Sequence, residues 1–366
     1  MRECRNPWRG EDDHFRRAPH ERPPFGHNSN DPERRRIPPG FEYAPPPPGI
    51  NPYRRRLRHN SNALCAGLTL CFSIGTIAIW LLHRLIFLFP RFGLFMQNLS
   101  PVGQGLFSMS INTLALLLPA LLAAVLLNMP FRIAFPMRRT SARLTVPGVF
   151  CCLGMSVIGV GIAVLLTSLL ARTAGVGASM PDFSAPYGGV EIVMFLIAIS
   201  VVPAVFEELL CRGVVMQSLR RFGDDFALVT SSLLFAMLHR NLLQGPNAFV
   251  TGMLLGYFTL RAGSLIPAIV MHFFNNFIFG LFSVAVMHLP AQYGEALNLL
   301  FLPVFLGLGA VGIILMSVLN GGFIPVHRKS IGLSTGEKYG LFFTAPLAIV
   351  FILATIYQAR HFFEFI

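Results

Sequence analysis

The segment Val205–Val215, VFEELLCRGVV, sets two adjacent glutamates and an arginine inside an otherwise apolar run. Farther along the chain, His239 closes LLFAMLH, and His272 and Asn276 lie one helical turn apart in IVMHFFNN. A glutamate and a histidine that face each other can deprotonate a water. A second histidine and an asparagine can donate hydrogen bonds to the oxyanion that an attacked carbonyl becomes. Together these residue types suit hydrolysis of a peptide bond without a covalent intermediate. Glu208 and Arg212 are four apart with the acid first, the favourable order for an ion pair on one helical face. Glu207 then points ~100° away, toward the face of Cys211, with nothing local to neutralise it. Each residue also has a plainer reading. A single buried histidine is commonly a packed one, an asparagine can tie membrane helices together, and Phe235 reads as core. Cys211 on an apolar helix face reads as inert.

The elements that must position these residues follow from composition. Of 366 residues, 54% are hydrophobic and 13% charged, and the mean hydropathy is +0.60. That is the profile of a polytopic membrane protein in a lipid bilayer. Apolar runs long enough to cross ~30 Å of hydrocarbon fall near 63–82, 106–128, 146–170, 189–219, 225–243, 247–261, 264–287, 297–319 and 340–358. The expected fold is therefore all-α, a bundle of about eight or nine transmembrane helices over residues 61–366, preceded by a tail. Residues 1–60, with RPPFGH, YAPPPPG and RRRLRH, are rich in Arg and Pro and read as a disordered basic tail. They lack the apolar core and cleavage site of a secretory signal.

The basic stem Arg54–Arg58 precedes the first span and places the N-terminus in the cytoplasm. With that end inside, Arg132, Arg138, Arg139, Arg143, Arg220, Arg221, Arg328, Lys329 and Lys338 all fall on the same side. The net charge of +12 is then a membrane-surface feature, and no soluble domain is visible that would bind nucleic acid. The six cysteines show no CxxC spacing, which argues against a disulfide framework or a zinc finger.

Depth links the candidate residues. Counting back from Arg220 at 1.5 Å per residue puts Glu207 about 20 Å into the bundle. Counting forward from Asp225 puts His239 at about 21 Å, and from Arg261 puts His272 at about 15 Å. Three helices thus bring Glu, His, His and Asn to one layer. Charges there cost about 2.5 to 3.5 kcal/mol each on insertion scales, so they need partners or a polar cavity.

The triplet EELLCR, FAMLH and HFFNN resembles the EExxxR, FxxxH and HxxxN pattern of the CPBP group, the glutamate-type CAAX prenyl proteases and bacteriocin-processing proteins. The resemblance covers about 189–290, with GMLLGYF and GSLIPAIVMH similar to the connecting sequence of that group, and marks this region as the catalytic core. It implies an intramembrane glutamic endopeptidase in which Glu207 activates water with His239. His272 and Asn276 would stabilise the oxyanion, and Glu208 and Arg212 would act as scaffold and electrostatic tuning. The implied partner is a peptide or membrane-protein substrate. By analogy with similar small peptidases, the location is a bacterial cell membrane. Two histidines and a glutamate could hold zinc, but HExxH is absent, so no cofactor is expected. Two alternatives stand beside the enzyme: a non-catalytic scaffold or immunity factor, which would have lost a motif residue, and a proton-coupled transporter, which would show a second copy of the charged cluster. The substrate, whether it is prenylated, and the oligomeric state are not legible.

Overall fold

The computed structural model describes residues 52–178, 188–324 and 332–365. The tail before residue 52 and the Arg328–Lys329 pair lie outside the described residues. Helix α1 begins at Pro52 and runs to Leu88, so the basic stem is its first turns. There follow α2 (Pro90–Gln97), α3 (Pro101–Leu126), α4 (Phe131–Ala134) and α5 (Ala142–Ala174). Helix α6 (Gly189–Glu208) continues through a π-helical segment, Leu209–Val215, into α7 (Met216–Leu219). Next come α8 (Asp224–Leu238), α9 (Gly245–Ala262), α10 (Ile266–His288), α11 (Ala291–Asn320), α12 (Thr335–Phe343) and α13 (Pro346–Ala359). Two short strands, β1 (Val176–Ala178) and β2 (Phe363–Phe365), pair antiparallel with Val176 opposite Phe365 and are the only strands among the described residues.

Six of the described helical segments are long and apolar enough to cross a membrane, or seven if α12 and α13, bent by 69°, form one broken span. This is fewer than the eight or nine expected from apolar length. The difference lies at 225–243 and 247–261. The chain leaves helix at His239 and re-enters it at Gly245, so α8 has 15 residues and spans about 22 Å, short of a ~30 Å hydrocarbon core. Helix α9 ends at the same face of the bundle where α8 began, and the pair forms a hairpin packed inside the bundle.

Leu165, Leu299, Val318 and Leu353 are each more than half exposed along α5, α11 and α13, the outward apolar surface of a bundle that meets lipid. On its inner side α5 packs against α9, α10 and α11. Gly154 on α5 and Gly309 on α11 let these two backbones touch, since a Cβ on Gly154 would sit 2.6 Å from the Gly309 Cα. Small residues at such a seam are how membrane helices gain contact where lipid offers no hydrophobic drive.

The basic loops gather at one end of the bundle. Asn60 Nδ2 donates to the Ser218 carbonyl, and Ser264 Oγ donates to the Arg138 carbonyl. Arg261 donates to the carbonyls of Asn320 and Gly322, Lys338 Nζ donates to the Phe222 carbonyl, and Arg54 pairs with Glu337. The loop assignment made from charge alone is therefore consistent with where the loops meet.

Candidate active site

Glu207 and Glu208 are the last residues of α6, and the π-helical segment begins immediately after them. In it the Met216 amide reaches back five residues to the Cys211 carbonyl, and the Arg212 carbonyl is taken by Gln217 Nε2 at 3.1 Å. Short π stretches inside helices are frequent at functional sites. Glu208 and Arg212 are fully buried and joined at 2.7 Å, the ion pair expected from their spacing. The same Glu208 Oε1 accepts from His272 Nδ1 at 2.8 Å. Because a carboxylate oxygen can only accept, this bond puts a proton on His272 Nδ1 and turns Nε2 toward the cavity, 3.9 Å from Glu207 Oε2.

His239 caps α8 and is fixed in the same manner. Its Nδ1 lies 2.9 Å from the Phe235 carbonyl, so Nδ1 is the donor and Nε2 keeps a free lone pair. Phe235, read from sequence as core, is buried at the centre of the cluster. The Arg212 guanidinium lies 4.3 Å over its ring, and both histidines meet it edge-on, at 4.9 Å for His239 and 6.0 Å for His272. One aromatic ring thus spaces the cation and both imidazoles. Gly252 on α9 leaves the room, since a Cβ there would come within 3.1 Å of Arg212 Nη2 and 3.3 Å of the Phe235 ring.

Asn276 is positioned by a residue that the sequence reading passed over. Pro203 lies inside α6 and has no N–H, so the carbonyl four residues earlier, on Ile199, has no helical partner. Asn276 Nδ2 donates to that carbonyl at 3.0 Å. Next to it, Asn275 accepts from Ser156 Oγ at 2.6 Å and donates weakly to Asn276 Oδ1 at 3.3 Å. A proline one turn before the glutamates was the available signal, and it required knowing which helix faces it.

These side chains line one cavity of about 360 Å³, walled by α5, α6, α8, α9 and α10, with Glu207, His239, His272 and Asn276 all on its surface. Glu208 and Arg212 lie behind it, both at 0% exposure, whereas the Glu207 side chain is 21% exposed. Cys211 is wholly buried and is not among the lining residues. Among the described residues no group of three or more His, Cys, Asp or Glu side chains is placed to hold a metal ion. Glu208 Oε1 is already taken by Arg212 and His272.

No curated protein and no solved structure matches the chain. Residues 189–278, from the start of α6 to within α10, match the family model described as Rce1-like type II CAAX prenyl endopeptidase. The matched segment contains all six motif residues, and the carboxylates and imidazoles within it meet in a buried cluster inside a bundle of long apolar helices. The chain therefore carries a domain of the Rce1-like CAAX endopeptidase family, a family of intramembrane proteases.

Proposed function

We propose that the chain hydrolyses a peptide bond of a membrane-associated substrate, using Glu207 and His239 to activate water. The observation that carries this reading is the division of labour between the two glutamates: Glu208 is buried with its Oε1 held by Arg212 and His272, while Glu207 faces the cavity with His272 Nε2 3.9 Å away. Glu207 takes a proton from water, His239 Nε2 accepts a hydrogen bond from the same water, and the water oxygen bonds to the substrate carbonyl carbon. The resulting oxyanion receives hydrogen bonds from two donors. His272, in its doubly protonated form, donates from Nε2 while Glu208 holds Nδ1. Asn276 donates the second of its Nδ2 hydrogens, the first being held by the Ile199 carbonyl. The C–N bond then breaks, the amine leaves with the proton that Glu207 carried, and no bond to the protein forms at any stage.

Glu208 and Arg212 serve as positioning residues. With the basic loops in the cytoplasm, the site lies about 20 Å from that face. Substrate enters in extended form, because a helical peptide hides its scissile carbonyl in its own hydrogen bonds. The test is cleavage of a farnesylated CAAX peptide and of its unprenylated counterpart by the purified chain in proteoliposomes. Release of the three-residue product, absent with Glu207→Gln, is the expected result. Comparing the two peptides shows whether a prenyl group is required.

Two further outcomes belong to this chemistry. EDTA should leave the rate within about twofold, since the mechanism uses protein groups alone. Loss of activity with EDTA and its return with zinc would replace Glu207 as the activating group. Pro203→Ala returns an N–H to α6 that competes for the Ile199 carbonyl. Asn276 then loses its anchor, and kcat should fall roughly tenfold at unchanged protein level, as small displacements of an oxyanion donor do. An unaltered kcat would show that Asn276 is held by other contacts.

A further inference from the structure

A second cavity, of about 480 Å³, adjoins the first and shares Pro203, Glu207, His239 and Gln244 with it. A third, of about 660 Å³, shares Thr76 and Arg240 with the second. The three form a row from the glutamates outward between α1 and α13, and Arg240 lies where the second meets the third. Its Nη1 donates to Gln358 Oε1 on α13 at 2.6 Å, and its guanidinium lies 5.2 Å over the Phe72 ring. Its Nε is buried without a hydrogen-bond partner. No carboxylate lies within 4.0 Å of it among the described residues, in contrast to Arg212 and Arg220, which are each paired with an acid.

Arg240 also sits in an unfavourable backbone conformation, with φ at +53°, a region that a long side chain adopts only when its surroundings hold it there. The turn that ends α8 just after His239 imposes this geometry and aims the guanidinium into the second cavity. A cation without a counter-charge inside a membrane bundle is costly, and its planar fork matches a carboxylate in two parallel hydrogen bonds.

We propose that Arg240 binds a carboxylate of the substrate, a few residues along the extended chain from the bond held at Glu207 and His239. His239 and Arg240 are consecutive, with Cα atoms ~3.8 Å apart, so a substrate continuing from the first cavity into the second meets the guanidinium within a few residues. The carboxylate is either the substrate's C-terminus or an Asp or Glu side chain near it. This inference rests on the peptidase reading, because it assigns the second cavity to the same bound chain. The competing structural role is a tie between α8 and α13 through Gln358.

The test measures binding, so that it stands apart from turnover. The full chain, carrying Glu207→Gln to prevent cleavage, is placed in lipid nanodiscs. It is titrated by fluorescence anisotropy with a labelled farnesylated CAAX peptide in three forms: the free acid, the C-terminal amide, and the amide with Asp as its last residue. The free acid should bind at least tenfold more tightly than the amide. Adding Arg240→Gln should weaken the acid about tenfold and leave the amide unchanged, with Arg240→Lys in between. Tight binding of the Asp-containing amide identifies a side-chain carboxylate as sufficient, and weak binding assigns the site to the C-terminus. Equal affinity for acid and amide, equal loss of both in Arg240→Gln, or no binding of any form would overturn the proposal. Cleavage by the chain with Glu207 intact is measured in parallel. Its absence would count against proteolysis and leave the affinity comparison to decide the role of Arg240.

Discussion

A Glu207→Gln chain is expected to insert and accumulate as the native chain does and to lose cleavage by about 10²- to 10⁴-fold, the range that a positioned general base contributes. The substitution keeps the shape of the side chain and removes its capacity to take a proton. Packing should not change, because Glu207 faces the cavity, is 21% exposed and has His272 Nε2 at 3.9 Å as its nearest ionic partner. Glu208→Gln should behave differently. It perturbs the bonds to Arg212 and His272 together, and both protein level and rate should fall. Immunoblots of membranes alongside a cleavage assay separate the two patterns. A Glu207→Gln chain that cleaves at the native rate would remove this residue from the chemistry.

Arg212→Ala should produce the largest loss of stability of any single change in the site. The guanidinium and the Glu208 carboxylate are both at 0% exposure, and removing one partner of a buried pair costs about 3 to 5 kcal/mol, because the other is left as an uncompensated charge. Phe235 loses the cation over its ring at the same time, and His272 is left on an unbalanced carboxylate. The expected readout is a marked fall in protein extracted from membranes and a lower unfolding temperature in detergent, with activity lost in proportion or beyond. Arg212→Lys restores the charge but not the planar fork that lies on Phe235, so it should rescue level in part and activity less. Native accumulation of Arg212→Ala would mean that the pair contributes little to folding.

The parts of this arrangement that were legible in the sequence depend on local rules. The Glu208–Arg212 pair follows from a spacing of four, and the common depth of Glu207, His239 and His272 from helical rise. The gathering of basic loops follows from the positive-inside bias. What was not legible depends on which helix faces which. The Glu208–His272 bond joins residues 64 apart in sequence. The Pro203–Ile199–Asn276 relay needs α6 beside α10, and nothing in Phe235 itself says that its ring will lie between an arginine and two histidines. The span count failed for a related reason. Residues 225–261 are apolar enough to read as two crossings, but the turn at 239–244 shortens α8, and the hairpin is buried by protein where a lone span would meet lipid. The apolar pattern reports burial without saying whether lipid or protein does the burying.

The most direct measurement of the central claim, that Glu207 drives hydrolysis of a membrane-associated peptide bond, is a mass-spectrometric inventory of protein termini in membranes. It compares cells making the native chain with cells making equal amounts of Glu207→Gln or His239→Ala. New C-termini with matching N-terminal partners, present with the native chain and absent with both variants, are the expected result. Identical termini in all three samples, with each protein present in the membrane at the same level, would contradict it.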